Sequence, residues 1–244
     1  MLLQICVSRT LDLEARIAAP NLADVDLRDD MGRYEIAEAG RHLQRLVINL
    51  RFPVPAILRR FDTIGELIVR LLIQSGREGY NTFIKELRGL DCETLVLRSM
   101  WTVHQFEPSM LHLLRICNGL KKFAVTLRCS EVIFACTSDC PCTWPESYRN
   151  DNISLDSLEE LEINGFTGKD HQLDSVNLLV NLLVGRNAPL LKGVVFHLPP
   201  RDFLKCSNII RDKIRGMLPP GLELWACLEN RKSFGLLDEL NLYA

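Results

Sequence analysis

The chain has 244 residues, enough for one large domain or two small ones with a buried core. Hydrophobic residues make up 47% and charged residues 25%, and 29 basic side chains nearly balance 31 acidic ones. That mix excludes a disordered chain, and it gives no electrostatic case for nucleic acid or an anionic membrane, which both want a concentrated basic face.

No run reaches the roughly 18 uninterrupted apolar residues that span a bilayer. Residues 173–184 come nearest and are broken by Asp174, Asn177 and Asn181. The N-terminus shows no basic stretch before its short apolar run and no small-residue cleavage site, so no signal peptide is expected. Nine cysteines, an odd number with no secretion signal, point to reduced thiols in the cytoplasm or nucleus. On that reading the sequon at Asn152 is a coincidence.

In chain order, a loose apolar-x-x-apolar-x-apolar pattern returns six times. It runs Leu22-x-x-Val25-x-Leu27, Leu43-x-x-Leu46-x-Ile48, Cys92-x-x-Leu95-x-Leu97, Leu120-x-x-Phe123-x-Val125, Leu158-x-x-Leu161-x-Ile163 and Leu191-x-x-Val194-x-Phe196. The starts lie 21, 49, 28, 38 and 33 residues apart. Each unit supplies a short strand that cannot bury its apolar face alone, so the strands are expected to stack in parallel.

Helical patterns fall between them. Residues 57–72 place Ile57, Phe61, Ile64, Ile68, Leu71 and Leu72 at three- and four-residue steps, after Pro53 and Pro55 and before Ser75-Gly76. Residues 64–69 also fit the strand template, but the amphipathic run is long for a strand and a helix is preferred. Further helices are expected around 108–117, stopped by Asn118-Gly119, over 171–185, and over 202–217, cut by Pro219-Pro220. A final strand is read at Leu222–Leu228, followed by a short tail that could form a loose cap. Strand alternating with helix argues for a parallel sheet with helices outside.

Cys129, Cys136, Cys140 and Cys142 sit in a stretch rich in turn residues, read as a long loop and sub-domain boundary. Structural zinc usually takes two CxxC-like pairs. Steps of 7, 4 and 2 contain none, so plain loop cysteines are preferred over zinc or a redox-sensitive thiol pair. The five histidines, His42, His104, His112, His171 and His197, show no paired ligand spacing, and no hydrolase elbow, Walker loop or dinucleotide fingerprint occurs. No cofactor, metal or catalysis is expected. Glu159, Glu160 and Glu162 read as a solvated face.

Side chains between the apolar ones of each strand point to the opposite, open face. Candidate partner-binding residues at or just beyond the strands on that side are Asp26, Asn49, Arg98, Arg128, Glu162, Asn164 and His197. Val47, Val96 and Val195 lie there too. Exposed apolar groups bordered by charges suit a protein-binding surface; the alternative is that loops or the C-terminal part cover them.

Residues 157–197 resemble the FBD module at the C-terminal end of plant F-box/leucine-rich-repeat proteins. The features are the strand LEELEI (158–163), the turn GFTGKDHQ (165–172), an amphipathic helix, and RNAPLLKGVVF (186–196). The segment 138–163 is similar to grass members of that family in particular, and 18–27 and 41–50 look like its irregular leucine-rich repeats. Residues 197–230 follow the module's usual ending only loosely. The F-box, which would precede the repeats and dock the Skp-type adaptor of a cullin ubiquitin ligase, is absent.

The resemblance implies an irregular leucine-rich-repeat solenoid over 1–137, a boundary at 138–157, an FBD-like module over 158–230 and a tail at 231–244. It implies a protein partner, with cullin-ligase components reached only if an F-box lies upstream. The alternatives are a structural or truncated repeat fragment and, remotely, a cysteine- or zinc-dependent enzyme.

Overall fold

A computed structural model of the chain describes residues 2–5, 14–27, 33–38, 40–50, 56–71, 87, 89–99, 106–127, 153–183, 187–198, 212–218, 222–228 and 234–236. Two compact units divide them, one through Leu120 and the other from Lys121 onward. Each unit is mixed α/β, with a mostly parallel sheet and few helices.

The first unit contains strands β1 (Leu2–Ile5), β2 (Glu14–Ala18), β3 (Asp24–Leu27), β4 (Arg33–Glu38), β5 (His42–Leu50), β6 (Thr63–Leu71) and β7 (Leu90–Ser99). Strands β1, β3, β5, β6 and β7 pair in that order, all parallel. Strands β2 and β4 form a separate parallel pair. Helix α1 (Phe106–Ile116) leads into the short β8 (Cys117–Asn118), which pairs with β7. The repeat leucines do what their spacing demands: Leu46, Leu67, Leu95 and Leu97 are fully buried, with Val25, Ile48 and Val69 beside them.

The helix expected over 57–72 does not form. The chain makes a 3₁₀ turn at Ala56–Arg60 and then strand β6. Leu43 of β5 lies opposite Ile64, and Ile64 opposite Cys92 of β7. The apparent 49-residue gap therefore hides a seventh repeat, Ile64-x-x-Leu67-x-Val69, and splits into 21 and 28. The physical reason is burial on both faces: Leu67, Ile68 and Val69 are all buried in succession. A strand sealed on two sides carries consecutive apolar residues, which imitate helical recurrence. Gly65 fits the strand for a second reason. A Cβ there would stand 2.7 Å from the Gln44 carbonyl oxygen, so only glycine lets β5 and β6 approach.

The second unit contains β9 (Lys122–Thr126), β10 (Glu160–Asn164), helix α2 (Asp170–Leu183), β11 (Gly193–Leu198), β12 (Glu223–Leu228) and β13 (Phe234–Leu236). Strands β9, β10, β11 and β12 pair in order and in parallel, and β13 closes the edge antiparallel to β12. β13 falls in the expected loose tail. Phe123, Leu161, Ile163, Phe166 and Phe196 are fully buried, and the Phe166 and Phe196 rings meet edge to face, 5.4 Å between centroids.

The turn after β10 is built by its own letters. Gly165 and Gly168 take φ of 72° and 76°, which side-chain-bearing residues rarely adopt. The buried Gln172 clamps the turn: its Oε1 accepts from Thr167 N (2.8 Å) and Oγ1 (2.9 Å), and its Nε2 donates to the Gly165 carbonyl. Helix α2 then buries Val176, Leu179, Val180 and Leu183, while Asp174, Asn177 and Asn181, which interrupt the apolar run, face outward. Asn187 closes the helix with an Nδ2 bond to the Leu182 carbonyl. Of the helix expected over 202–217, residues 212–217 are helical with Ile214 buried; 202–211 lie outside the described residues. No described helix is long and apolar enough to cross a membrane.

Candidate partner-binding face

Because side chains alternate along a strand, the face opposite the leucines can be read rung by rung. In the first unit one rung is Asp24, Arg45, Glu66 and Thr94; the next is Asp26, Val47, Ile68 and Val96; a third is Asn49, Arg70 and Arg98. In the second unit the corresponding rungs are Lys122, Glu160, Gly193 and Glu223, then Ala124, Glu162, Val195 and Trp225, then Thr126, Asn164, His197 and Cys227.

The candidate residues thus separate into two groups. Asn49 and Arg98 share a rung, with Asp26 one rung earlier. Asn164 and His197 are direct partners, with Glu162 beside them. Arg128 lies outside the described residues, as do Cys129, Cys136, Cys140, Cys142 and His104. Arg98 is half-buried and lies opposite Arg70 in the β6–β7 pair. Asp26, expected on an exposed surface, is only 5% exposed, and Val47, Ile68, Ala124 and Val195 are also buried. Most of the middle rung is thus buried, while Val96, Glu162 and Trp225 on it stay half-exposed.

The rung before it carries charge of which the sequence reading named only Glu160, as part of a solvated face. Arg45 Nε donates to Glu66 Oε2 at 2.8 Å across β5 and β6. Arg41 pairs with Asp62, and His42 Nδ1 meets Thr63 Oγ1 at 2.5 Å. In the second unit Lys122 Nζ lies 2.9 Å from Glu160 and 2.5 Å from Glu162, while Lys192 pairs with Glu159. The signal was in the alternation itself. Asp24, Arg45 and Glu160 each stand two residues before a position already assigned to that face, whereas Glu66 and Lys122 join it only through the strand register.

Glu162 is the hub of the second group. His197 Nε2, a buried atom with no hydrogen-bond partner among the described residues, lies 3.8 Å from its carboxylate. The His197 imidazole and the Lys122 ammonium hold the Glu162 carboxyl down at about 2, against the upward push of burial. Burial works against the Lys122 charge, yet Glu162 and Glu160 overcome it and raise that ammonium above its ordinary value. Glu162 therefore stays an anion between two basic groups. Fixed charges of alternating sign suit docking of a complementary surface.

An open groove of about 680 Å³ lies at the N-terminal ends of β3, β5, β6 and β7, with Asn21, His42, Gln44, Thr63, Asp91 and Glu93 among its walls. Among the described residues no three His, Cys, Asp or Glu side chains are grouped to hold a metal ion. Neither a family model, nor a curated protein, nor a solved structure matches the chain.

Proposed function

We propose that this chain is a non-catalytic protein-recognition scaffold: an irregular leucine-rich-repeat solenoid of the F-box/FBD kind that holds a protein partner on its open strand face. The observation that carries the reading is the register. Neighbouring strands are offset by the same 21, 38 and 33 residues that separate their motifs in the sequence. Stacked repeats of that sort hold varied side chains rigidly in rows, which suits recognition. Residence in the cytoplasm or nucleus is part of the same reading.

The test is a pull-down from plant extract with the 244-residue protein beside an Arg98→Glu, Arg128→Glu variant, read by mass spectrometry. Proteins captured by the parent and lost from a variant with unchanged circular dichroism support the open face as the docking surface. Identical capture by both overturns it. Cullin and Skp-type adaptor subunits in the parent's capture tie the scaffold to a ligase.

A further inference from the structure

Cys92 stands in the first apolar position of its repeat on β7, and Cys117 follows α1 on β8, where β7 and β8 pair at Leu90 opposite Cys117. The two thiols, 1% and 4% exposed, are free and share a hydrogen bond with 3.5 Å between sulfurs. A disulfide needs about 2.0 Å between sulfurs, so the two sulfurs have about 1.5 Å still to close. The other repeats place Leu22, Leu43, Ile64, Leu120, Leu158 and Leu191 at the Cys92 position. Packing alone would be served by leucine there too, and only the thiol gives its neighbour a chemical partner.

We infer that Cys92 and Cys117 form an oxidative modification site, converted by a peroxide to an intramolecular disulfide that ties β7 to the exit of α1. One thiolate attacks the peroxide O–O bond, giving a sulfenic acid and releasing water. The second sulfur attacks that sulfenic sulfur and displaces a second water, so two thiols and one hydrogen peroxide yield one disulfide and two waters. Hydrogen bonding to Cys92, together with burial, raises the Cys117 thiol well above its ordinary value, so the reaction waits on local opening around α1 rather than running on the closed protein.

The test treats the full chain with hydrogen peroxide, alkylates remaining thiols after unfolding, and maps peptides without reduction. The expected product is a peptide pair joined through Cys92 and Cys117, lighter by two hydrogens and resolved by reductant. It should appear several-fold faster in urea concentrations just below the unfolding transition. A Cys92→Ser variant must lose that pair while keeping its circular dichroism. Recovery of both cysteines as alkylated thiols after treatment that oxidises other cysteines of the chain would overturn the proposal, as would cross-linking of either to a different cysteine in its place.

Discussion

The first unit and the second solve the same problem with different material. In both, parallel strands force the chain to travel back between one strand and the next. Where neighbouring strands are offset by 21 or 22 residues, the return holds a strand or a 3₁₀ turn: β2 lies between β1 and β3, β4 between β3 and β5, and Ala56–Arg60 between β5 and β6. Where the offset is 33, the return is helix α2, and where it is 30 it includes the helical residues 212–217.

Geometry decides this. An extended residue advances about 3.3 Å and a helical one about 1.5 Å, so a short connection spans the strand's length only when stretched. Helices on the outer face were expected throughout; among the described residues, α-helices stand only in the longer connections. Repeat length, more than local helix propensity, sets what lies behind the sheet.

The strongest way to test this division is to attack the hidden repeat. Leu67→Ala removes a side chain with no exposure from β6, and a loss of about 3 kcal/mol is expected by urea unfolding. If residues 57–72 were an amphipathic helix with Leu67 off its apolar stripe, the change would be nearly silent.

The next effect belongs to α1, in a 28-residue repeat. Burial, above all, depresses His112 from an ordinary 6.5 to about 4, with Arg115 adding to it and the backbone at Leu87 opposing. The unfolded chain takes up a proton that the folded one refuses. Stability is therefore complete above pH 6.5, falls as pH drops from there towards 4, and levels off below. The loss is on the order of 3 kcal/mol. Urea midpoints at pH 7.5 and 4.5 check it, and a His112→Gln variant should show a distinctly flatter dependence.

A smaller pair of effects has opposite signs. Gly65→Ala forces a methyl against the β5 backbone and should cost about 1–3 kcal/mol. Gly216, in the helical residues 212–217, has open space around its missing Cβ, and Gly216→Ala should gain about 0.5–1 kcal/mol. Equal effects at the two sites would show that strand approach does not set the glycine at 65.

All six strands whose motif was read from the sequence form, as do helices at 106–116 and 170–183. They were legible because the strand motif stands there without a competing run of apolar residues at three- and four-residue steps; β5, β9 and β11 are buried on both faces as well. β6 was missed because its apolar residues run on from Ile57 and Phe61 at three- and four-residue steps, which imitates a helix. β4 alternates Tyr34 and Ile36 with charges and fits the strand template, but nothing in its leucine-poor letters ties it to the repeat. The candidate face was half legible. Alternation puts Arg98, Glu162, Asn164 and His197 on its rungs, whereas the burial of Asp26 and Val195 depends on neighbours that no local period encodes.

The equality of strand offset and motif spacing carries a last consequence. A repeat can be excised whole without turning any side chain from one face to the other. Removing residues 43–63 would set Ile64 where Leu43 now stands, with Glu66 opposite Asp24 in place of Arg45. The apolar face would close unbroken, and the open face would exchange an attractive pair for a repulsive one. Loss or gain of a single unit can thus rewrite what this protein presents while leaving how it folds untouched.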